Sequence, residues 1–469
     1  MLLFYYIQLI VFIASIILLF LSQVSYQTII IFAAIGYIAI NYSFITTFFQ
    51  KLLVLIQKDI LLYFAWVLLF ISIFLWRGRT SAELITNPVD EVAFLRMAEV
   101  SMACILSLFM FRVSAVSHIL TGLLPFMFIY SILALISSLY SSFQLYTLWK
   151  AFETSVGVLL IAVTLSRIGD FEDMKAVSDL ILGLFGFLLI MIWVGAAIEP
   201  SRAFLKKGFL GFMLAGVFPI INPNAVGFIG ALLGIVAFCR MFNVKTTKDR
   251  IFYQNIFFVS LVTLILAQAR TSLAGFLLAA LFWLALNKKI RWLTFLVLLG
   301  GIVALNSGLS DYIIAYFKRG QSEEVFTTLS GRTIAWAHAW NMFKKSPIIG
   351  YGFASGARFD VLKGLGMVGL HGSLFDVLVN LGILGLIPWL MAVIGTWVCL
   401  LRIFFRYGNQ MRPDIKAYHT EIIAVMTILT LRAVTGTAIV MHDKEFILFL
   451  LILAYAQYSM RTKGFTTGR

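Results

Sequence analysis

The chain has little charge for its length. Of its 469 residues 12% are charged and 61% hydrophobic, with a mean hydropathy of +0.99. That leaves too little polar surface to cover a soluble globule, so a water-soluble fold is excluded. Cysteine is nearly absent. Cys104, Cys239 and Cys399 lie within or at the end of apolar runs, without the spacing of a disulfide framework or a zinc site, and read as small core residues. The first run, "MLLFYYIQLIVFIASIILLFLSQVS", lacks a basic start and a clear small-residue cleavage site. It reads as a retained first span rather than a removed signal, with no soluble domain expected before it. The formal charge of +15 then points to anionic lipid headgroups, and without a soluble basic domain nucleic-acid binding is not expected.

What is abundant is apolar sequence in lengths of about 17 to 25 residues, the length a helix needs to cross the hydrocarbon of a bilayer. Lipid offers backbone amides no partner, so the fold class expected is an all-α polytopic membrane protein. Spans are predicted near 2–21, 28–48, 60–76, 92–111, 119–137, 146–165, 178–198, 223–239, 251–268, 271–286, 292–306, 374–400, 420–437 and 445–460, about fourteen transmembrane helices. The basic stretches "RMFNVKTTKDR" (240–250), "NKKIRW" (287–292), 402–416 and the tail from Arg461 mark the cytoplasmic side and place both termini inside. The overall bias is weak, because about half of the basic residues fall on the outer side, many of them in the long segments 199–222 and 307–373. Cations held there against the usual rule suggest an anionic ligand. "FLKKGFLGFMLAGVFPI" (204–220) is apolar enough to span. It is read instead as an interfacial or re-entrant segment, because Lys206 and Lys207 flank its start and "INPN" breaks its end.

Four regions result: an N-terminal transmembrane bundle (1–198), an interfacial segment with the central helices (199–306), a large extracytoplasmic loop (307–373) and C-terminal transmembrane helices (374–469). A loop as long as 307–373 is usually functional. Within it "GRTIAWAHAWNMFKKSP" (331–347) predicts a helix with Ile334, Ala337, Trp340, Met342 and Phe343 on one face, turned to the membrane or the bundle. "PIIGYGFASG" reads as a glycine-rich turn whose bare amides suit close approach to a phosphate or sugar. In "LHGSLFDVLVNLGILGLIPWL" (370–390), His371 stands at the mouth of a span, and Ser373, Asp376 and Asn380 form a polar stripe on one helix face. The stripe suits structural hydrogen bonding as well as it suits chemistry.

Arg270, Arg332 and His371 stand out on the outer side. Arg270 sits between two spans with almost no loop, as either a snorkelling anchor or a phosphate-binding fork. Arg332 opens the loop helix. Imidazole, with an ordinary pKa of about 6.5, is the side chain best suited to take a hydroxyl proton at neutral pH. Together the three fit transfer from an anionic leaving group to a hydroxyl acceptor. Secondary candidates are Arg358, Lys363, Asp376, Arg432, and His442 with Asp443 and Lys444. His338 is expected to pack beside Trp336 and Trp340, facing a sugar.

The order "AGVFPIINPNAVG", "QARTSL", "LSGRTIAW", "SPIIGYGF" and "HGSLFDVLVNLGILGLI" resembles the O-antigen ligase and polymerase family of bacterial envelopes, over roughly 205–390. The resemblance implies a GT-C-like membrane glycosyltransferase of the bacterial inner membrane, with its active site facing the periplasm and a glycan on undecaprenyl diphosphate as donor. It implies Arg270 and Arg332 on the diphosphate and His371 as base, with no metal or other cofactor. Its partners would be the lipid-linked donor, a glycan acceptor, membrane lipids, a chain-length regulator and a flippase. Two positions depart from the pattern. Gly372 follows the histidine where many members have Asn, and Met213 to Gly216 lacks a common Arg, for which Arg202, Lys206 or Lys207 could substitute. "YSSFQLYTLWKAFETSVGVLL" and "GVFPIINPN" look more like polysaccharide polymerases than ligases that load lipid A core. Protein O-oligosaccharyltransferases of the same family are the third choice. A transporter or flippase of lipid-linked sugars would predict inverted repeats, interrupted helices and mid-membrane charge. No repeat is visible in the sequence, and its spans read as poor in charge.

Overall fold

A computed structural model of the chain describes residues 50, 53–54, 57–75, 83, 89–323, 326, 328, 332–361 and 369–462. The expected spans 2–21 and 28–48, and Lys363, lie outside these residues. In chain order the elements are α1 (Ile60–Phe74), α2 (Glu91–Phe109), α3 (Val113–Leu120), α4 (Leu124–Ile136), α5 (Gln144–Arg167), α6 (Phe171–Ile198), β1 (Phe204–Leu205), β2 (Met213–Leu214), α7 (Pro223–Met241) and α8 (Thr247–Leu266). Next come α9 (Arg270–Leu286), α10 (Ile290–Leu305), α11 (Ser307–Lys318), α12 (Arg332–Lys345), α13 (Ser373–Tyr407), α14 (Pro413–Thr435) and α15 (Lys444–Arg461).

The helices start where the sequence supplies a cap. Asp90, Asn222, Thr246 and Asp443 each accept from a backbone amide three residues on, at 2.7 to 3.0 Å. Among the described residues seven helices are long and apolar enough to cross a membrane, or eight if α3 and α4, bent by 91°, count as one span. The remaining predicted spans fall on α1, α9, α10 and α15, of which the first three are shorter apolar helices. Large side chains such as Leu305 (91% exposed) and Val113 (88%) open outward, as lipid-facing residues do. The bend before α4 has a cause. Gln457 Oε1 accepts from the amides of Leu123 and Leu124, both at 2.9 Å, and Gly122 has φ +84°.

The chain divides into two compact units. One holds Leu182–Leu281 and Lys289–Gly320. In it Gly227 and Gly230 of α7 pack so closely on the α8 region that an added Cβ would lie 2.2 Å from Ala269 Cβ or 2.8 Å from the Ser260 carbonyl. The segment 204–220 is neither a span nor a helix. β1 and β2 form a two-stranded antiparallel hairpin pairing Phe204 with Leu214, and the buried Gln268 clasps its turn through Phe209 N (2.9 Å) and the Phe212 carbonyl (2.6 Å). Glycines at 208 and 211 with positive φ make the turn.

The other unit holds Asp59–Ile181, Phe282–Lys288 and Gln321–Arg469. One end of it gathers four connections: 137–143, 346–361, 369–372 and 436–443. The hydroxyls of Ser141, Thr147 and Ser355 bond one another at 2.7 to 2.8 Å, and the Phe353 amide donates to Ser137 at 2.9 Å. The Tyr130 hydroxyl and Trp389 Nε1 donate to the carbonyls of Val440 and Ile439. α13 is interrupted at Gly382 (φ 61°, ψ −157°), within what the sequence predicts as one continuous span. The freed carbonyls of Val379 and Asn380 accept from Tyr351 and Gly352, and Ile383 and Leu384 donate to Pro347 and Ile348. The loop thus fills the break, and the backbone stays satisfied.

Candidate functional site

His371 lies one residue before the cap of α13, in the left-handed region at φ +53°. Side chains on both sides hold it there. Leu370 is fully buried, and its carbonyl accepts from Trp336 Nε1 at 2.8 Å. Trp336 stacks on Phe375, with centroids 5.3 Å apart and planes 16° apart. A Cβ at position 372 would lie 2.8 Å from Trp336 Nε1, so the close packing of the indole favours glycine there. Burial, and second the charge of Arg332, hold the imidazole below its ordinary pKa of 6.5. The ring is therefore neutral at pH 7 and able to accept a proton. Arg332 begins α12 in the same unit.

α12 sets two of its alanines on the bundle, with Met342 of the bulky face packed beside them. Ala335 and Ala339 are buried in one small apolar cluster with Ala357, Leu370 and Val379, while Ile334 (58% exposed), Ala337 and Trp340 point outward. Two alanines let the helix approach closely; the bulky residues would hold it off. His338 is exposed rather than packed, and Trp340 stacks on Phe343 instead.

The polar stripe of α13 is occupied by the protein itself. Ser373 donates to the carbonyls of Gly436 and Ala438, Asp376 accepts from Thr437, and Asn380 Oδ1 accepts from the Ala357 amide at 2.9 Å. Asp376 is buried and holds the 436–438 loop in place. The glycine-rich turn is likewise taken up by packing, since a Cβ at Gly350 would lie 2.4 Å from the Val379 carbonyl and one at Gly352 2.5 Å from Ser141 Cβ. Arg358, on a wide helical turn at Gly356–Val361, donates to the Tyr146 hydroxyl at 3.2 Å. Arg432, with Lys444, pairs with the buried Glu445. His442 is buried, its Nε2 2.9 Å from the Ser72 hydroxyl.

Arg270, Lys206 and Lys207 belong to the other unit. Arg270 starts α9, and its Nη1 donates to the Phe317 carbonyl in the last turn of α11 at 3.0 Å, a favourable place for a cation at a helix C-terminus. Lys206 and Lys207 are exposed on the hairpin. Arg332 and His371 thus come together in one unit, and Arg270 stands in the other.

Sequence reading missed a second charged cluster. Arg96 of α2 and Lys150 of α5 both pair with Glu153, whose side chain is 1% exposed. Its signal was present, because Arg96, Lys150 and Glu153 fall inside predicted spans, where ionisable groups are rare and functional.

No curated protein matches the chain. Residues 256–390, the stretch that holds Arg270, Arg332, Arg358, His371 and Asp376, match the family model described as O-antigen ligase, and the match supports assigning the chain to the O-antigen ligase and polymerase family.

Proposed function

We propose that the chain is a membrane glycosyltransferase that polymerises undecaprenyl-diphosphate-linked repeat units into a surface polysaccharide, in the bacterial inner membrane with its site on the periplasmic side. The observation that carries the reading is the neutral, half-buried imidazole of His371 within the field of Arg332, at the mouth of α13. In the reaction an acceptor sugar hydroxyl attacks the anomeric carbon of the donor, and the bond from that carbon to the diphosphate oxygen breaks. His371 takes the hydroxyl proton. Undecaprenyl diphosphate leaves with the electron pair, and Arg332 stabilises the charge growing on it.

A second reading, transfer of the glycan to lipid A core, is favoured by the description of the matching family as O-antigen ligase. One experiment separates them. Purified protein is given lipid-linked repeat units with EDTA present, and the products are run on a gel. A ladder supports polymerisation. Product that appears only when lipid A core is added overturns it in favour of the ligase, and no product in either case overturns both.

A further inference from the structure

Polymerisation, the reading on which a second subsite rests, joins two lipid-linked sugars, each carrying a diphosphate. Arg332 and His371 serve one of them. At the same end of the unit a second set of cations is assembled around Tyr146, near the start of α5. Lys150 Nζ lies 6.0 Å and the Arg358 guanidinium 5.8 Å from the centre of its ring, and Arg358 Nη1 donates to its hydroxyl at 3.2 Å. Lys150 Nζ is also 2.8 Å from Glu153 Oε2, and Arg96 grips the same carboxylate with two nitrogens, Nη2 at 2.8 Å from Oε2.

Arg96 and Lys150 therefore share one carboxylate, and Arg358 lies close enough to act with Arg96 on Lys150 through its charge. Among the described residues Glu153 pairs with two of them, and Glu99, one turn along α2, acts on Arg96 through its charge, so three cations face two carboxylates. Arg358 is half-buried, and among the described residues it meets the neutral rings of Tyr146 and Phe359 and the Tyr146 hydroxyl. Partly desolvated cations in excess over carboxylates are destabilising unless an anion joins them, and an arginine fork beside a lysine matches the oxygens of a phosphate. The cluster is also tied to the histidine. Arg358 follows Ala357 and His371 follows Leu370, and Ala357 and Leu370 belong to the same small apolar cluster.

We infer that Arg96, Lys150 and Arg358 form a second diphosphate subsite, which holds the acceptor's lipid-linked diphosphate while Arg332 serves the donor. Binding and not turnover tests this, so the outcome stands apart from the ladder assay. The full-length protein in detergent is titrated with undecaprenyl diphosphate, and the bound copies are counted by native mass spectrometry. Wild type is expected to take two copies. Arg358→Ala and Lys150→Gln should each weaken one of them about tenfold or more, Arg332→Ala should weaken the other, and Arg332→Ala with Arg358→Ala should affect both. Arg358→Ala leaves both partners of Glu153 in place, so an unchanged unfolding temperature shows that its effect is not misfolding. Two copies bound with wild-type affinity by Arg358→Ala and Lys150→Gln would overturn the subsite, as would a wild type that binds one. Displacement of the second copy by an equal concentration of phosphatidylglycerol would show a general lipid-headgroup phosphate site and overturn the acceptor assignment. Two copies bound by a protein that makes no ladder would support the subsite and count against polymerisation alone.

Discussion

Two basic segments, 199–222 and 307–373, looked alike in the sequence and are built in opposite ways. The first folds into a short hairpin clasped by Gln268, with Lys206 and Lys207 out in solvent. In the second, residues 346–361 are drawn into their unit by hydrogen bonds to Ser137 and to the break in α13, and Trp336 bonds the Leu370 carbonyl beside His371. An exposed lysine loses rotamer entropy when it holds a ligand and works in high dielectric. A histidine fixed by buried neighbours is already placed, so the second segment is the one suited to chemistry.

The largest test of that contrast is activity. His371→Ala and Arg332→Ala are each expected to cut ladder formation by about 10²- to 10⁴-fold, whereas Lys206→Ala with Lys207→Ala should change it only a few-fold. Gel densitometry of initial rates decides this, and equal losses would erase the distinction. Arg270→Ala should fall with the first group if its charge reaches the diphosphate, and a wild-type rate would leave it the helix-terminal role it shows with Phe317.

Next comes stability. Glu153→Ala leaves Arg96 and Lys150 without their carboxylate and should destabilise the protein by about 3–5 kcal/mol, read as thermal unfolding in detergent. A loss below about 1 kcal/mol would mean that solvent already screens the cluster.

The glycines give a finer comparison. Gly382 (φ +61°) and Gly211 (φ +77°) both have left-handed backbones, but a Cβ at 382 would lie 2.3 Å from the Ile348 carbonyl, while one at 211 meets nothing within 4 Å. Gly211→Ala should therefore cost only the conformational penalty of about 1–2 kcal/mol. Gly382→Ala should cost more, because the loop seated in the break must move. Equal unfolding temperatures for the two variants would show that the loop is not held by the break.

The smallest effect is in pH. Because the native imidazole of His371 is held below 6.5, it stays neutral to lower pH than a free histidine. The ladder rate should be flat through neutral pH and fall only on the acid side of about 6.5. The unfolded chain binds the proton at higher pH than the native one, so the histidine's effect on stability is lost as pH falls through that window. Removing the nearby charge in Arg332→Ala should move the acid limb of the residual activity upward, toward the ordinary value. Burial, the larger cause, should keep it from arriving there. An unmoved limb would show that Arg332 does not act on the ring.

Much of the helical plan was legible because a bilayer imposes a long apolar period that one residue rarely disguises. α5, α7 and α14 lie where their apolar runs begin and end to within several residues. The break in α13 was not legible. Gly382 sits in an unbroken apolar run, and only the docking of residues 347–352 on the carbonyls and amides around it makes the interruption tolerable. The sequence left the bulky face of α12 two places, membrane or bundle, and the structure removes the bundle for Ile334 and Trp340. Hydrophobicity pointed to Ile334 and Trp340, yet close packing against Leu370 and Val379 selected the smaller Ala335 and Ala339.

By itself, then, the sequence determined that this chain lives in a membrane as helices, that its long polar loop carries a short helix, and that Arg270, Arg332 and His371 merited attention. Those conclusions come from local composition and spacing. The tertiary structure decided that Arg332 and His371 share a unit, that the α13 stripe and the glycine turn serve packing, and that Arg96, Lys150, Glu153 and Arg358 gather in one place. Such facts depend on which distant segments touch, as Phe353 and Ser137 do across 216 residues, and no local pattern encodes a partner that far along the chain.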